Sequence, residues 1–290
     1  MSGNLIRYLQ AGMAKALGLH RPGRTLVIRP HDVFLVSFPK SGNTWTRFLL
    51  ANLLHPDEPA TFANIHRLIP DPSGTSKRDF DRMPDPRVIK SHECFDPRYP
   101  RVIYIVRDPR DVVLSQYHYH RKLKRIADDS PLEAFVTRFL AGQTCPVGSW
   151  GQNVSTWVAT SENSPRFLLL RYEDMISDTA GELAKIVSFL QLAVSPEQIA
   201  EAVEKSSANK MRKLEAMQTD KCELTKGSRT DLSFVRSASA GGWRSELLPA
   251  QAARLESAWG QLMLRLGYEL DSLSPADLHP VPYLGTLRRP

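Results

Sequence analysis

The chain has 290 residues, of which 42% are hydrophobic and 24% are charged, a composition typical of soluble globular proteins. No apolar run approaches the roughly 18 residues that suggest a membrane span, and the first residues lack the pattern of a secretory signal. The formal net charge of +7 favours an anionic partner, which leaves nucleic acid, a membrane surface and a phosphorylated small molecule open.

The three cysteines, Cys94, Cys145 and Cys222, are odd in number and do not have the spacing of metal ligands. This usage is typical of reduced thiols in a cytoplasmic protein. The sequence also has no acidic or His/Cys cluster of the kind that holds a metal, so we expect a metal-free site.

Residues 4–17 carry apolar side chains at roughly helical spacing and are followed by Gly18, which predicts an N-terminal helix packed on the domain. Basic residues on and just beyond this helix leave contact with a membrane surface as an alternative.

The stretch from Asp32 to Leu50 begins with an apolar run, 33–38, that predicts a buried strand. It continues through Pro39-Lys40-Ser41-Gly42-Asn43-Thr44 into apolar residues at helical spacing from Trp45 onwards. A strand that opens into a helix through such a turn directs backbone N–H groups and the positive end of the helix dipole at one point, which favours a phosphate. The spacing is not the Walker pattern, because the lysine precedes the single glycine. Taken alone, the motif is also compatible with an ordinary strand–helix turn.

Three further apolar runs predict strands that end in polar side chains. Residues 87–90 are followed by His92, 101–106 by Arg107, and 166–171 by Tyr172. In an open parallel sheet the carboxyl ends of the strands form the ligand crevice. We therefore expect one edge of one sheet to carry Lys40, His92, Arg107 and Tyr172.

Asp108 followed by Pro109 is typical of a helix start, so we predict a helix from there towards Tyr119, with Ser115 two turns along it. Arg107 then lies beside a helix N-terminus and is suited to bidentate phosphate binding. A surface ion pair with Asp111 is the alternative for Arg107.

The composition predicts a long loop and a solvated helix end. Residues 56–86 are rich in Pro, Asp, Ser and Arg, which predicts a long binding loop with one short helix near Phe62–Leu68. The basic run within 121–125 predicts a solvated helix end, with contact to an anion as the alternative. Trp150 and Trp157 are predicted in the core.

The second half of the chain is mainly helical. Periodicity predicts helices over 181–190 and from about Pro249 to Leu266, and Ser195 to Gln198 form a capping box for a helix between them. Residues 207–247 are polar and basic without clear periodicity, and 271–290 are predicted as a surface tail. Without a repeat or a clean linker, the sequence predicts a single α/β domain over 1–290, with its core at about 32–268 and helices flanking a central parallel sheet.

Four of these segments resemble motifs of the sulfotransferases that use 3′-phosphoadenosine-5′-phosphosulfate (PAPS). Phe38–Trp45 resembles that family's 5′-phosphosulfate loop, Y-P-K-S-G-T-T-W, and Arg107–Ser115 resembles its 3′-phosphate motif. Lys90-Ser91-His92 is similar to the family's lysine and catalytic histidine, and Arg171–Met175 to its adenine-side tyrosine segment. The resemblance covers about residues 32–268 in family order.

The resemblance implies a P-loop-like sulfotransferase fold. It also implies transfer of the sulfuryl group of PAPS to a hydroxyl of a small-molecule, lipid or sugar acceptor, with adenosine 3′,5′-bisphosphate (PAP) as product. Lys40 would bind the 5′-phosphosulfate and stabilise the leaving phosphate, with Lys90 beside the transferring group. The other implied donor contacts are the phosphate cradle of Ser41, Gly42, Asn43 and Thr44, the adenine contacts Trp45 and Tyr172, the 3′-phosphate contacts Arg107 and Ser115, and the nucleotide-site positions Ser206, Met211, Phe234 and Arg236.

The chemistry of these residue types agrees with sulfuryl transfer. A histidine with the ordinary pKa near 6.5 accepts a proton from an acceptor hydroxyl at neutral pH, so we predict His92 as the general base. Lysines and helix-end amides neutralise charge that develops on a leaving group. A buried structural histidine is the alternative, but of the eight histidines His92 is the one that follows a strand end next to a lysine.

The chain departs from the family pattern in three places. The late R-K-G motif is here Arg236-Ser237-Ala238, and Gly241-Gly242-Trp243-Arg244 lacks the usual aspartate before the tryptophan. The dimerisation motif of many cytosolic members is absent at Arg244 to Ala253, so the resemblance implies no dimer and the oligomeric state stays open.

Two other classes of function remain as alternatives. A kinase-like phosphoryl-transfer enzyme shares a phosphate loop, but the Walker spacing and an acidic strand end for Mg²⁺ are missing. A binding module for nucleic acid or membrane is motivated by the charge alone, and we expect no nucleic-acid partner. The identity of the acceptor is not readable from the irregular segments 56–86 and 140–150.

Overall fold

A computed structural model describes residues 26–72, 74–161, 163–218 and 227–272. The helix predicted at 4–17, the tail from 273 onwards and Cys222 lie outside the described residues. The described residues form one parallel sheet in the order β2-β1-β3-β4, which comprises β1 (Val33–Ser37), β2 (Val88–Ser91), β3 (Arg101–Val106) and β4 (Phe167–Arg171). The predicted α/β fold with a central parallel sheet is confirmed.

Helices connect and cover the strands. In chain order the described helices are α1 (Asn43–Leu54), α2 (Ile65–Leu68), α3 (Lys77–Arg82), α4 (Pro109–Lys122), α5 (Leu132–Leu140), α6 (Trp150–Ser161), α7 (Tyr172–Ser177), α8 (Thr179–Leu190), α9 (Pro196–Lys205), α10 (Ala208–Gln218), α11 (Trp243–Glu246) and α12 (Pro249–Arg265).

The strands are buried on both faces, which is why they are continuous apolar runs rather than alternating ones. Because side chains alternate along a strand, Phe34 and Val36 pack on one face while Val33 and Leu35 pack on the other. The first face contacts α4, α5, α6, α11 and α12, and the second contacts α1, α2 and α7 to α10. Trp150 and Trp157 lie fully buried in the first layer, as predicted.

The register of the sheet brings the strand ends to one edge. Val36 is paired with Ser91 of β2 and with Tyr104 of β3, and Val106 is paired with Arg171 of β4. The chain leaves β1 towards β2 on one side and β3 towards β4 on the other, so β1 and β3 flank the switch point of the sheet. Ligands bind at such a crevice in open α/β sheets.

A buried ion pair fixes the opposite edge. The Arg87 guanidinium donates from Nε to Asp32 Oδ1 (2.8 Å) and from Nη2 to Oδ2 (2.5 Å), and both side chains are buried. Arg87 also donates to the Phe80 carbonyl at 3.1 Å. Because both charges are paired and the remaining donors are used, the pair ties the long 56–86 connection to the start of β1 without leaving an unpaired buried charge.

Most helix predictions hold, with shifted ends. The predicted helix from Asp108 extends to Lys122 rather than to Tyr119, and the Asp108 carboxylate accepts from the Arg110 N–H at 2.8 Å as its cap. The capping box of α9 is present, with the Ser195 N–H donating to Gln198 Oε1 at 2.8 Å. The closing helix ends at Arg265, just before the left-handed Gly267.

Three features of the irregular and basic segments differ from, or were absent from, the sequence predictions. Helix α3 lies in the region predicted to be irregular, and its start is capped by the Ser76 side chain. Helix α10 lies where no periodicity is visible, because it buries only Met211 and Glu215. Lys122 is not solvated: its ammonium is buried, pairs with Glu215 at 3.1 Å and donates to the carbonyl of Arg229 at 2.9 Å.

Candidate active site

One cavity opens at the carboxyl edge of the sheet, with a volume of about 430 Å³. It brings together most of the predicted site residues: Lys40, Gly42, Asn43, Thr44, Trp45, Lys90, His92, Arg107, Ser115, Tyr172, Met211, Phe234 and Arg236. Ser41 is buried directly beside it and Ser206 is buried away from it. The convergence predicted from the strand ends is therefore confirmed.

The loop between β1 and α1 requires a glycine. Gly42 has a φ of 102°, which side chains disfavour, and a Cβ there would lie 2.6 Å from Cδ2 of the Tyr172 ring. No side chain caps the first turn of α1, and Asn43 Nδ2 instead donates back to the Leu35 carbonyl at 3.1 Å. The start of α1 thus directs uncapped backbone N–H groups at the cavity, an arrangement that favours an anion.

Lys40 is held between two aromatic rings. Its ammonium lies 4.3 Å from the Tyr119 ring centroid and 4.1 Å from that of Phe234, within the range of cation–π attraction. Lys40 also has a left-handed backbone, with φ 72°. Burial, with the charge of Arg107 as the second cause, lowers the pKa of Lys40 to about 7. The neutral amine form of Lys40, which is well populated near and above pH 7, is therefore able to gain a proton when a negative group binds beside it.

Arg107 stands at the end of β3, as predicted, and stacks on Tyr172. Its guanidinium carbon lies 4.2 Å from the Tyr172 ring centroid, and Nη2 donates to the Ser239 carbonyl at 3.1 Å. Its Nε is buried, and no described residue forms a hydrogen bond with it. Asp111 is 3.9 Å away, and its carboxylate accepts from the N–H groups of Gly241 and Trp243. The ion pair given as the alternative is present at this distance, but it is buried rather than at the surface, and the Asp111 carboxylate also accepts from the backbone.

His92 follows β2 and is oriented by β1. Its Nδ1 lies 2.7 Å from the Ser37 carbonyl oxygen. A carbonyl only accepts, so Nδ1 carries the hydrogen and Nε2 keeps its lone pair. Asn153 Nδ2 donates to the His92 carbonyl at 3.0 Å and fixes its backbone.

The expected pKa of 6.5 for His92 is wrong. Burial, followed by the nearby charge of Lys90, lowers the pKa of His92 to about 3. The imidazole is therefore neutral throughout the physiological range, as a base must be, but it is a weaker base than the sequence predicts.

Lys90 forms an ion pair that the sequence did not reveal. Its Nζ lies 2.5 Å from Oδ2 of Asp71, a residue of the 56–86 segment that also lines the cavity. The Lys90 N–H donates to the Pro70 carbonyl at 2.8 Å, which fixes this segment against β2. Burial lowers the pKa of Lys90 from its usual value, and Asp71 opposes that shift.

Trp45 and Tyr172, the residues predicted to contact the adenine, form an aromatic corner. Trp45 and Tyr172 meet edge to face, with ring centroids 5.9 Å apart. Trp45 Nε1 donates to the Ser206 carbonyl at 3.1 Å, and the Ser206 hydroxyl accepts from Asn52 Nδ2 at 2.9 Å. Ser206 therefore lies behind Trp45 and holds it in place, outside the cavity wall.

The altered Arg236-Ser237-Ala238 segment still lines the cavity. Arg236 pairs with Glu246 at 2.6 Å, which compensates part of its charge. Arg212 donates to the backbone carbonyls of Val235 (3.1 Å) and Arg236 (2.8 Å), so a cation from α10 maintains the shape of the segment.

Sequence reasoning missed several wall residues: Asp71, Gln116, Tyr119, His120, Arg125, Thr144 and Cys145. For α4 a signal existed, because Ser115 and Tyr119 are four residues apart and share a helix face. For Asp71 and Arg125 the sequence indicated only the segment, because 56–86 was predicted as a binding loop and contact with an anion was the alternative for 121–125. Periodicity is absent in such segments, so it did not assign the individual side chains to the site.

Within the described ranges, no group of three or more His, Cys, Asp or Glu side chains is placed to hold a metal ion. In the same residues, no helix combines the length and the apolar character needed to cross a membrane.

A family model described as a sulfotransferase domain matches residues 30–267. The chain belongs to the sulfotransferase family. Sulfotransferase 1A1 from Bos taurus is 28% identical over 92% of this chain and 94% of that protein. Cytosolic sulfotransferase 12 from Arabidopsis thaliana is 28% identical over 78% of this chain and 75% of that protein. The predicted family and the predicted class of enzyme are confirmed.

The structure is similar to that of mouse sulfotransferase SULT7A1, which was solved in complex with PAP. The TM-score is 0.65 at 27% sequence identity, and the match covers 82% of this chain and 86% of the mouse chain. The fold around the sulfotransferase site is thus shared well beyond the phosphate loop.

We predict that Gly42→Ala destabilises the protein more than a glycine substitution with backbone strain alone. Gly227→Ala is the matched control, because Gly227 also has a positive φ (70°) but has open space where a Cβ would lie. Both changes incur left-handed strain of about 1–2 kcal/mol, while only Gly42→Ala displaces the Tyr172 ring. Urea unfolding measures both free energies, and equal losses would show that the contact with Tyr172 does not matter.

Proposed function

We propose that this sulfotransferase transfers the sulfuryl group of PAPS to a hydroxyl group of an acceptor. The observation that carries the proposal is a single cavity that joins the phosphate loop after β1, Arg107 with Ser115, and His92. PAP in the mouse structure supports the choice of donor. The name of the Arabidopsis relative supports a cytoplasmic location, which we also propose.

The residues present fit the donor. Ser41 Oγ and Arg107 Nε are buried and have no hydrogen-bonding partner within the described part of the chain, and the absence of a Cβ at Gly42 leaves the loop backbone accessible. Buried polar atoms are normally satisfied, so a ligand with several acceptor oxygens suits them. When bound, PAPS supplies a sulfuryl group on a phosphate leaving group. Thr44 and Asn43 would complete the cradle, Trp45 and Tyr172 would contact the adenine with Met211 and Phe234 nearby, and Arg107 and Ser115 would hold the 3′-phosphate.

Lys40 would stabilise the charge of the leaving phosphate. Its ammonium is kept from solvent by Tyr119 and Phe234, and a charge in such surroundings interacts more strongly than in water. Arg236 would contribute less than an unpaired arginine, because Glu246 already shares its charge.

His92 would act as the general base through Nε2. The Ser37 carbonyl holds the hydrogen on Nδ1, so Nε2 is the atom that accepts the proton of the acceptor hydroxyl. Lys90, held by Asp71, would place a positive charge beside the transferring group.

We expect PAP to raise the melting temperature, while AMP, which lacks the 3′-phosphate, has little effect. A ligand at 100 times its dissociation constant stabilises a fold by about 2.7 kcal/mol. Lys40→Ala and Arg107→Ala should each reduce the shift with PAP, and Arg98→Ala, an exposed arginine paired with Asp96, is the control. An equal shift with ATP, to which the 3′-phosphate adds nothing, would favour the kinase-like alternative.

PAP binding should take up a proton through Lys40 above pH 7. In the free protein the lysine, with its pKa of about 7, is largely neutral at pH 8, and a phosphate beside it raises that pKa. The affinity for PAP should therefore fall as the pH rises above 7, by up to about tenfold per unit. Calorimetry at pH 8 in buffers of different ionisation enthalpy measures the uptake.

Lys40→Arg should remove this proton uptake, because arginine stays charged. Uptake of the same size in wild type and Lys40→Arg would assign the proton to another group.

His92→Ala should lower kcat by about 10²–10⁴, the usual contribution of a proton-transfer group. The PAP-induced melting shift should survive, because the His92 imidazole binds to Ser37 of β1 rather than to a predicted phosphate ligand. His31→Ala, an exposed histidine that precedes β1, is the control. Release of PAP from PAPS with a panel of phenols and alcohols measures the rate, and full activity of His92→Ala would rule out its role as the base.

A further inference from the structure

Helix α4 runs along the cavity, so its residues show the order of the groups along the cavity wall. Arg107 precedes the helix, and Ser115, Gln116, Tyr119 and His120 line the cavity from successive turns. The donor end lies at Arg107, and Tyr119 contacts the Lys40 ammonium where transfer takes place in the proposed reaction. The residues beyond Tyr119 therefore belong to the acceptor end.

A chain of contacts connects this end to the proposed base. Cys94, two residues after His92, donates from Sγ to the Val147 carbonyl at 3.6 Å. The same loop carries Thr144 and Cys145 into the cavity wall, beside His120. The acceptor end is thus bounded by the loop after β2, residues 144–148 and the last turn of α4.

Arg125 is a positively charged residue at the acceptor end of the cavity. The chain turns sharply after α4, with Lys124 in the left-handed region at φ 56° and the Arg125 N–H bound to the His120 carbonyl at 2.9 Å. This anchored turn leaves Arg125 exposed and lining the cavity. Nearby Arg121 pairs with Asp128 and Lys122 with Glu215, whereas no carboxylate among the described residues pairs with Arg125.

The positive charge extends into the cavity. Burial and then the charges of Arg125 and Arg138 lower the pKa of His120 to about 4, so the imidazole there is neutral and does not add to the charge. Carboxylates in the same positions would instead raise the pKa of His120. Arg125 and Arg138 thus place positive charge at this end of the cavity, and Lys40 of the phosphate loop adds to it.

Two buried polar atoms in the cavity wall favour a polar acceptor. Gln116 Oε1 and Thr144 Oγ1 have no hydrogen-bonding partner among the residues that the structure describes, although both residues line the cavity and are almost fully buried. Unsatisfied buried polar atoms are costly. The Gln116 amide oxygen needs a donor such as a hydroxyl of the ligand, and the Thr144 hydroxyl is able to donate to a ligand oxygen. A purely hydrocarbon acceptor would leave both atoms unpaired.

We propose that the acceptor carries, besides its reacting hydroxyl, an anionic group such as a carboxylate that Arg125 binds. This inference rests on the proposed sulfuryl transfer. A hydroxyaryl or hydroxyalkyl acid fits the site better than a neutral alcohol or an amine, because only the acid presents a negative group to Arg125 in the cavity wall.

The test compares three phenols of matched size: 3-(4-hydroxyphenyl)propionate, its methyl ester and tyramine. The wild-type enzyme should prefer the carboxylate in kcat/KM. Arg125→Ala should lower the ratio of carboxylate to ester by about ten- to hundredfold, the range of a charge-assisted hydrogen bond. Arg125→Glu should shift the preference to tyramine.

Lys124→Gln is the matched control, because it removes the same charge from a neighbouring side chain that does not line the cavity. Its ratio should stay as in wild type. An equal loss in Lys124→Gln and Arg125→Ala would assign the effect to general surface charge and overturn the proposal.

Binding provides a second measurement that does not need turnover. With PAP present, the carboxylate should raise the melting temperature more than the ester, and Arg125→Ala should remove the difference. An unchanged carboxylate-to-ester ratio in Arg125→Ala, or no difference in melting between the two probes, overturns the proposal. The melting shift with PAP alone distinguishes failure of the proposed function from failure of the role proposed for Arg125. If wild type shows no shift with PAP, the proposed function is contradicted. If only Arg125→Ala loses the shift, Arg125 binds the donor and its role at the acceptor is overturned.

Discussion

The parallel register of the sheet is the constraint on which the site depends. Hydrogen bonding between β1 and its two neighbours aligns Val36 with Ser91 and Tyr104, and this alignment sets Lys40, His92 and Arg107 at one edge. A slip of one residue would reverse the faces of a strand and move its terminal side chain away from the crevice. The buried pair of Asp32 and Arg87 at the opposite edge holds the starts of β1 and β2 together.

Aromatic side chains organise the charges of the cavity. Tyr172 packs on Gly42 and lies under Arg107, while Tyr119 and Phe234 enclose Lys40. Each ring therefore holds a cation that an anionic donor requires, and excludes water from around it. Lys40 and Arg107 are therefore partly dehydrated before a ligand binds, which strengthens their interaction with a phosphate.

Burial affects the two central titratable groups in the same direction. The pKa of Lys40 falls to about 7 and that of His92 to about 3, in both cases mainly because the charged form is poorly solvated. For His92 this keeps Nε2 free for a proton, and for Lys40 it links the charge to the presence of an anion. Burial is thus compatible with the two different roles proposed for Lys40 and His92, because Lys40 lies beside the phosphate loop and His92 lies at the end of β2.

The sequence by itself determined the sheet, its strand ends and the phosphate loop, because apolar runs, a Gly-containing turn and an Asp-Pro helix start are local signals. It also placed Lys40, His92, Arg107 and Tyr172 at one edge, since parallel strands share that edge. Only the tertiary structure decided the pairing of Lys90 with Asp71, the burial of Lys122 and the place of Arg125 in the cavity wall. Those features depend on contacts between segments far apart in the chain, and on the loss of solvent that they cause, and neither is written in the spacing of neighbouring residues.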